Sequence, residues 1–218
     1  MYQWNKTQHI TLTGMFAAII FMLMYFNIGF LPLPFMRPTI LHIPVIVGAL
    51  IMGPKYGAVL GFMFGLASMT FATYNPGATS FIFSPFINLP GTDSGSMLAL
   101  LVAFVPRILV GIVPWYVFVG LRKLLSPKRE IINFTITGIV GSMTNTLLVL
   151  HFIFIFFGDS WNAARPHPAP ADAIYAAIWG LVASTGIPEA VAAAILVPAI
   201  VGALAIVIKK SMPGVQKR

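Results

Sequence analysis

Six stretches of this chain are apolar for long enough, or nearly so, to cross a bilayer, and that repetition leaves few folds open. A spanning helix needs about 20 apolar residues, because each residue rises about 1.5 Å and the hydrocarbon core is about 30 Å thick. Segments 10–30, 39–53, 56–73, 97–124, 131–157 and 185–210 read as such helices, 39–53 being short and carrying Pro44. Residues 173–184 read as a further short helix. None of these segments alternates apolar and polar residues over about 10 positions, as a barrel strand would. Only 8% of the 218 residues are charged, against about 25% in a soluble domain, so too little polar surface is available to cover a globule in water. The expectation is an all-α integral membrane protein with six transmembrane helices, forming a single domain over 1–218. The first apolar run follows a short polar start without a clear small-residue cleavage site and reads as a retained helix rather than a cleaved signal.

A net charge of +8 raises the question of nucleic acid, and the position of the charge answers it. Ten of the 13 Lys and Arg residues are Lys6, Lys55, Arg122, Lys123, Lys128, Arg129, Lys209, Lys210, Lys217 and Arg218. They fall at the two ends of the chain, in the short turn 53–55, and in or just before the turn 126–130. The positive-inside rule makes that side cytoplasmic and puts both termini there, so no nucleic-acid partner is expected. The opposite connections, 31–38, 74–96 and 158–172, are rich in Pro, Gly and aromatic residues. Loops longer than about 12–15 residues are usually functional, and these are expected to cover an outward-facing cavity.

The charge that does not follow this pattern is Arg107, within the apolar stretch 97–120 and without an acidic neighbour in sequence. A guanidinium in such a place costs roughly 2.5–3.5 kcal/mol on insertion scales and normally faces protein or an aqueous cavity. Pro106 precedes it, and Pro favours the first position of a helix. If the spanning helix starts there, Arg107 lies in the outer third beside unpaired backbone N–H groups that also favour an anion. The plainer reading is an arginine reaching to the outer interface.

Glu189 follows Pro188 in the same way, with Ser184 and Thr185 as candidate caps. A carboxylate at a helix N-terminus needs no further role; the functional readings are a partner for Arg107 or an acceptor for a ligand hydroxyl. Asn145 is an amide inside the fifth run, suited either to an interhelical hydrogen bond or to a polar group of a ligand. Asn88, Tyr74, Trp161 and Trp179 lie in or near the outer connections, where aromatic residues also serve as interfacial anchors. Gly14 and Ala18 form a small-residue pair one turn apart, beside Ala17, which suits close packing inside the bundle or docking of another membrane protein outside it. His9, His42, His151 and His167 have no metal-ligand spacing, and there is no cysteine. No phosphate-binding loop, nucleophile elbow or paired carboxylate appears, so neither catalysis nor a cofactor is expected of this chain.

The stretch HIPVIVGALIMGPKYGAVLGFMFGLASM (42–69) and the motif FVPRILVG (104–111), within a six-helix chain whose ends share one side, resemble the substrate-binding S components of energy-coupling factor (ECF) vitamin transporters. The resemblance covers nearly the whole chain. Its Gly-Pro-x-x-Gly-x-x-x-Gly and Pro-Arg elements are similar to the branch with folate, riboflavin and pantothenate members, and the wording is most like the pantothenate S components. Gly14 and Ala18 sit where the family carries an Ala-xxx-Ala docking motif, with Gly in place of the first Ala. The resemblance implies a subunit of the bacterial plasma membrane that binds a vitamin from outside. It then docks on a membrane coupling protein (the T component) bearing two cytoplasmic ATPase subunits and topples to release the vitamin inward. Pantothenate, with one carboxylate, an amide and two hydroxyls, matches one Arg107 plus Asn145 or Asn88. Hydroxymethylpyrimidine, folate or riboflavin stay open as substrates, as does a non-transport structural membrane protein.

Overall fold

The computed structural model describes residues 4–26, 39–125, 129–165 and 167–211, with only the backbone for Lys209 and Ser211. The expected outer connection 31–38 and the basic residues Lys128, Lys217 and Arg218 lie outside the described residues. Every helix and turn within them belongs to an all-helical fold: α1 (Lys6–Tyr25), α2 (His42–Met52), α3 (Pro54–Tyr74), α4 (Leu98–Leu124), α5 (Glu130–Ala163), α6 (Ile174–Leu181) and α7 (Ile187–Ser211). Asn5 opens α1 with a reciprocal box: its side chain accepts the Gln8 N–H and the Gln8 side chain accepts the Asn5 N–H. Gly53, at φ 100°, turns the chain between α2 and α3. Pro54 then begins α3, where its missing N–H costs nothing.

Three expectations from the sequence change. Among the described residues, five helical units are long and apolar enough to cross a membrane, namely α1, α3, α4, α5 and the combined α6–α7 stretch. The 11-residue α2 is not; it is about 16 Å long. It survives at that length because α1, α3, α4, α5 and α7 all pack around it and every residue except Pro44 is buried. Short or broken helices are tolerated at membrane depth where protein, not lipid, surrounds them.

Secondly, 173–184 is not a separate short helix before a new crossing. A π turn, Val182–Gly186, carries α6 directly into α7. Ser184 and Thr185 cap no helix start; both hydroxyls donate to the Leu181 carbonyl, at 3.4 and 2.8 Å. Thirdly, α5 does not stop at 157. It kinks at Phe157 (φ −137°, ψ 15°) and continues to Ala163, because Phe157 and Trp161 are both buried in one apolar cluster. The expected outer connection 158–172 is therefore helical over its first six positions.

Close backbone contact sets the position of α4. Gly57, Gly61 and Gly65 line one face of α3, and a Cβ at each would strike the carbonyl oxygen of Gly111, Arg107 or Ala103 respectively. Small residues let membrane helices approach this closely. On the other side of α4, Gly141 of α5 meets Pro114 and Ile46, and Gly138 meets Ala193 of α7. The Trp4 indole donates to the Ile51 carbonyl (3.1 Å) and the Asn133 amide to the Phe118 carbonyl (3.2 Å). These bonds tie the start of α1 to the end of α2 and the end of α4 to the start of α5. Helix directions then gather Lys6, Lys55, Arg122, Lys123 and Arg129 at one end of the bundle.

Gly61→Ala should drive α3 off the Arg107 carbonyl and cost about 1–3 kcal/mol by overpacking, read as a lower thermal unfolding midpoint in detergent. Gly14→Ala and Gly120→Ala, inside helices and with added methyls that meet nothing within 4 Å, should not lower the midpoint and should raise it slightly through helix propensity. Equal midpoints for all three would show that the α3–α4 contact is not limiting.

Candidate functional site

Because α4 begins at Leu98, Pro106 lies inside the helix and Arg107 does not flank a helix N-terminus as expected. The local rule that places Pro at a helix start loses here to the length of the apolar run. An interior Pro lacks the N–H that would bond the carbonyl four residues back, which is Val102. Arg107 Nη1 donates to that carbonyl at 2.8 Å. Proline and arginine thus act as one unit: the first frees a carbonyl and the second occupies it.

The guanidinium is 5% exposed, not reaching to an interface. Its Cζ lies 5.4 Å from the ring centre of Phe64 on α3 and 4.9 Å from that of Phe83, in the 74–96 connection. That connection folds onto the bundle through a 3₁₀ turn at Ser80–Ile82, with Phe81 and Ile82 buried and Ser84 Oγ 2.7 Å from Thr73 Oγ1. Arg107 Nε is buried without a hydrogen bond.

Glu189, 4% exposed, is held between three helical elements. Oε1 accepts the backbone N–H of Thr39, just before α2, and Oε2 accepts the Thr146 hydroxyl of α5, each at 2.7 Å. Arg107 and Glu189 attract each other through space, but among the described residues no ion pair joins them. The carboxylate is a clamp between α7, α5 and the start of α2.

Around this clamp the structure gathers further polar groups. Asn145 is buried with Oδ1 unbonded, and Ser142, one turn earlier on the same helix, is buried with Oγ unbonded. His42, three residues after Thr39, is wholly buried. Neither of its ring nitrogens makes a hydrogen bond, although the Thr39 backbone and the Arg107 charge are near enough to act on it.

Arg107, Asn145 and Glu189 therefore share one region among α2, α4, α5 and α7. Tyr74 (79% exposed), Asn88 (exposed) and Trp179 (46% exposed) do not join them. Trp179 stands edge-on to His151 and Tyr175 on the outside of α5 and α6, the arrangement of an interfacial belt. Trp161 is buried beneath Arg165. His9 stacks on Tyr56, and His151 Nδ1 lies 2.7 Å from the Leu147 carbonyl. Gly14 and Ala18 are exposed, on the face of α1 opposite its buried Phe16, Ile20 and Met24.

Sequence reasoning passed over Thr39, His42, Ser142, Thr146, Phe64 and Phe83. One signal was available: Ser142, Asn145 and Thr146 stand at i, i+3 and i+4, which is one face of a helix. Thr39 contributes its backbone, and Phe83 arrives through a loop, so neither leaves a trace in local pattern.

Comparison with known proteins gives a consistent result. The profile of a family described as "ECF transporter, substrate-specific component" matches residues 8–201. The pantothenic acid transporter PanT of Lactococcus lactis subsp. cremoris is 37% identical over 203 residues, 92% of this chain and 95% of that protein. The pantothenate transporter PanT of Leuconostoc mesenteroides subsp. mesenteroides is 29% identical over 161 residues, 70% of this chain and 71% of that protein.

Glu189→Ala should leave the Thr39 N–H and the Thr146 hydroxyl without acceptors, at about 1–3 kcal/mol for each buried group. Thr146→Val removes one bond only and should lower the melting midpoint less. Wild-type melting of Glu189→Ala would show that the carboxylate clamps nothing.

Proposed function

The chain belongs to the substrate-specific components of ECF transporters, and on that footing we propose that it captures pantothenate outside the cell and delivers it inward by docking on an ATP-driven ECF module. The observation that carries the substrate choice is Arg107, a buried residue whose guanidinium has no carboxylate in contact among the described residues and one nitrogen unbonded. Pantothenate supplies one carboxylate for it, and two relatives carry pantothenate in their names. Asn145 is suited to the ligand's amide or a hydroxyl. Riboflavin and hydroxymethylpyrimidine carry no carboxylate for Arg107. Folate has two carboxylates and a large pterin, which call for more basic and stacking groups than the described residues of this region supply.

Position along α4 supports entry from outside. Arg107 is nine residues from Leu98 and 17 from Leu124, or about 14 and 26 Å, so it lies nearer the end without the basic turns. By the positive-inside rule the basic end faces the cytoplasm, in the bacterial plasma membrane. Glu189 then holds the start of α2 in place rather than touching the carboxylate of the ligand, since both its oxygens have protein donors. The exposed Gly14–Ala18 face of α1 suits docking on the membrane coupling protein, whose two ATPase subunits hydrolyse the ATP.

Arg107→Ala should weaken pantothenate binding by about 1.5–3 kcal/mol or more, the worth of a charge-assisted contact in a sheltered site. Arg107→Lys should recover only part, since an ammonium lacks the planar fork. Wild-type affinity for Arg107→Ala by calorimetry would eliminate the carboxylate contact.

Docking has a separate readout. Gly14→Leu and Ala18→Leu, on an open face, should keep vitamin binding by the isolated subunit and stop ATP-driven uptake by the assembled complex. Full uptake with both leucines would remove this face as the docking surface.

A further inference from the structure

We propose that His42 and Ser142 are ligand-contacting residues that read the uncharged polar groups, hydroxyls and amide, of the acid whose carboxylate Arg107 holds. This rests on the substrate reading above and assigns two residues that reading does not use.

The first ground is their unbonded state. Buried polar groups almost always have partners, and each exception calls for a reason. Helical hydroxyls normally bond back to the carbonyl four residues earlier, and Thr13, Thr70, Thr73, Thr144 and Thr185 all do so, at 2.7–2.8 Å. Ser142 is fully buried and makes no such bond. His42 buries two ring nitrogens, one a donor and one an acceptor when neutral; neither makes a hydrogen bond of good geometry, and the nearby Thr39 backbone could serve only one of them.

The second ground is convergence. Ile46, one turn after His42, packs on Gly141, the residue before Ser142. Thr146, one turn after Ser142, bonds Glu189, which bonds the Thr39 N–H three residues before His42. The Arg107 charge acts on His42. His42, Ser142 and Asn145 are thus linked through contacts among α2, α5 and α7, with the Arg107 cation on α4 beside them through space alone.

The third ground is complementarity. An imidazole, a hydroxyl and the Asn145 amide each combine donor and acceptor capacity, as do two hydroxyls and an amide on the ligand. Apolar replacements at such positions remove unbonded polar atoms from the protein interior, so they should not lower its stability.

The test titrates purified wild type, His42→Leu and Ser142→Ala with pantothenate and with the two analogues that each lack one hydroxyl. Each variant should lose at least about fivefold in pantothenate affinity while melting no lower than wild type. In at least one, the preference for pantothenate over one deoxy analogue should vanish. His42→Gln, which keeps a donor and an acceptor, should recover part of the loss. Unchanged affinity and unchanged preference in both apolar variants would overturn the inference while leaving the substrate reading intact. Lower melting with unchanged preference would likewise overturn it, in favour of a purely structural role. Wild-type protein that binds no pantothenate would overturn both. If an apolar variant does not give a monodisperse protein, His42→Phe or Ser142→Cys takes its place under the same criteria.

Discussion

An interior proline strips the Val102 carbonyl of its helical donor in the middle of an apolar bundle, and the neighbouring arginine replaces it. In hydrocarbon no water is available to satisfy that oxygen, so the protein must. The bond holds the guanidinium against α4 and directs it away from lipid. The glycine face of α3 then lets the Arg107 backbone seat against Gly61, and Phe64 and Phe83 cover the charge. Backbone repair and charge burial are thereby achieved by one side chain. It still has nitrogen to spare for a ligand.

Two opposite charges lie buried in the same region without touching, and this separation has a physical consequence. A direct Arg107–Glu189 pair would satisfy both groups and would have to be broken for an anion to bind. Instead Glu189 is satisfied by Thr39 and Thr146, and it offsets the arginine's charge through space. On the proposed reading, a carboxylate ligand would meet a guanidinium with no ion-pair partner to release among the described residues, and such preorganisation lowers the cost of binding. The same clamp fixes the start of α2, where His42 stands.

How much of this was legible in the sequence depended on how unusual each residue is in an apolar run. Arg107, Glu189 and Asn145 stand out one at a time, because a charge or an amide inside a membrane helix is costly. His42, Ser142 and Thr146 do not, since hydroxyls are ordinary in such helices and a single histidine has many bland explanations. The Gly53–Pro54 turn was readable because both residues have strong local meaning. Pro106 misled for that same reason: the rule for helix starts is local, whereas the carbonyl that makes an interior proline tolerable here is repaired by a side chain. The end of α5 was placed too early at 157 because Gly158 and Asp159 read as a loop, and the burial of Trp161 that carries the helix onward is a tertiary fact. Tyr74, Asn88 and Trp179 lie in or near outer connections in the sequence, but Tyr74 ends α3, Trp179 belongs to α6 and all three are exposed, so nearness to a connection says little about where a side chain points.

The division of labour among the helices follows from what each one buries. The short helix α2 is covered by protein on every side, so it is free of the length and the lipid-facing surface that a spanning helix requires, and it can present a polar imidazole inside the bundle. Helix α1 is the reverse. It packs on α2 and α3 through the buried Phe16, Ile20 and Met24, with Leu12, Ala17 and Leu23 partly buried beside them, while Gly14 and Ala18 on its opposite face are exposed among the described residues. Helix α1 supplies none of the buried polar groups gathered among α2, α4, α5 and α7. On the proposed reading, its outer face would engage a partner without any change at Arg107, so that ligand capture and docking would be physically separable in one small bundle.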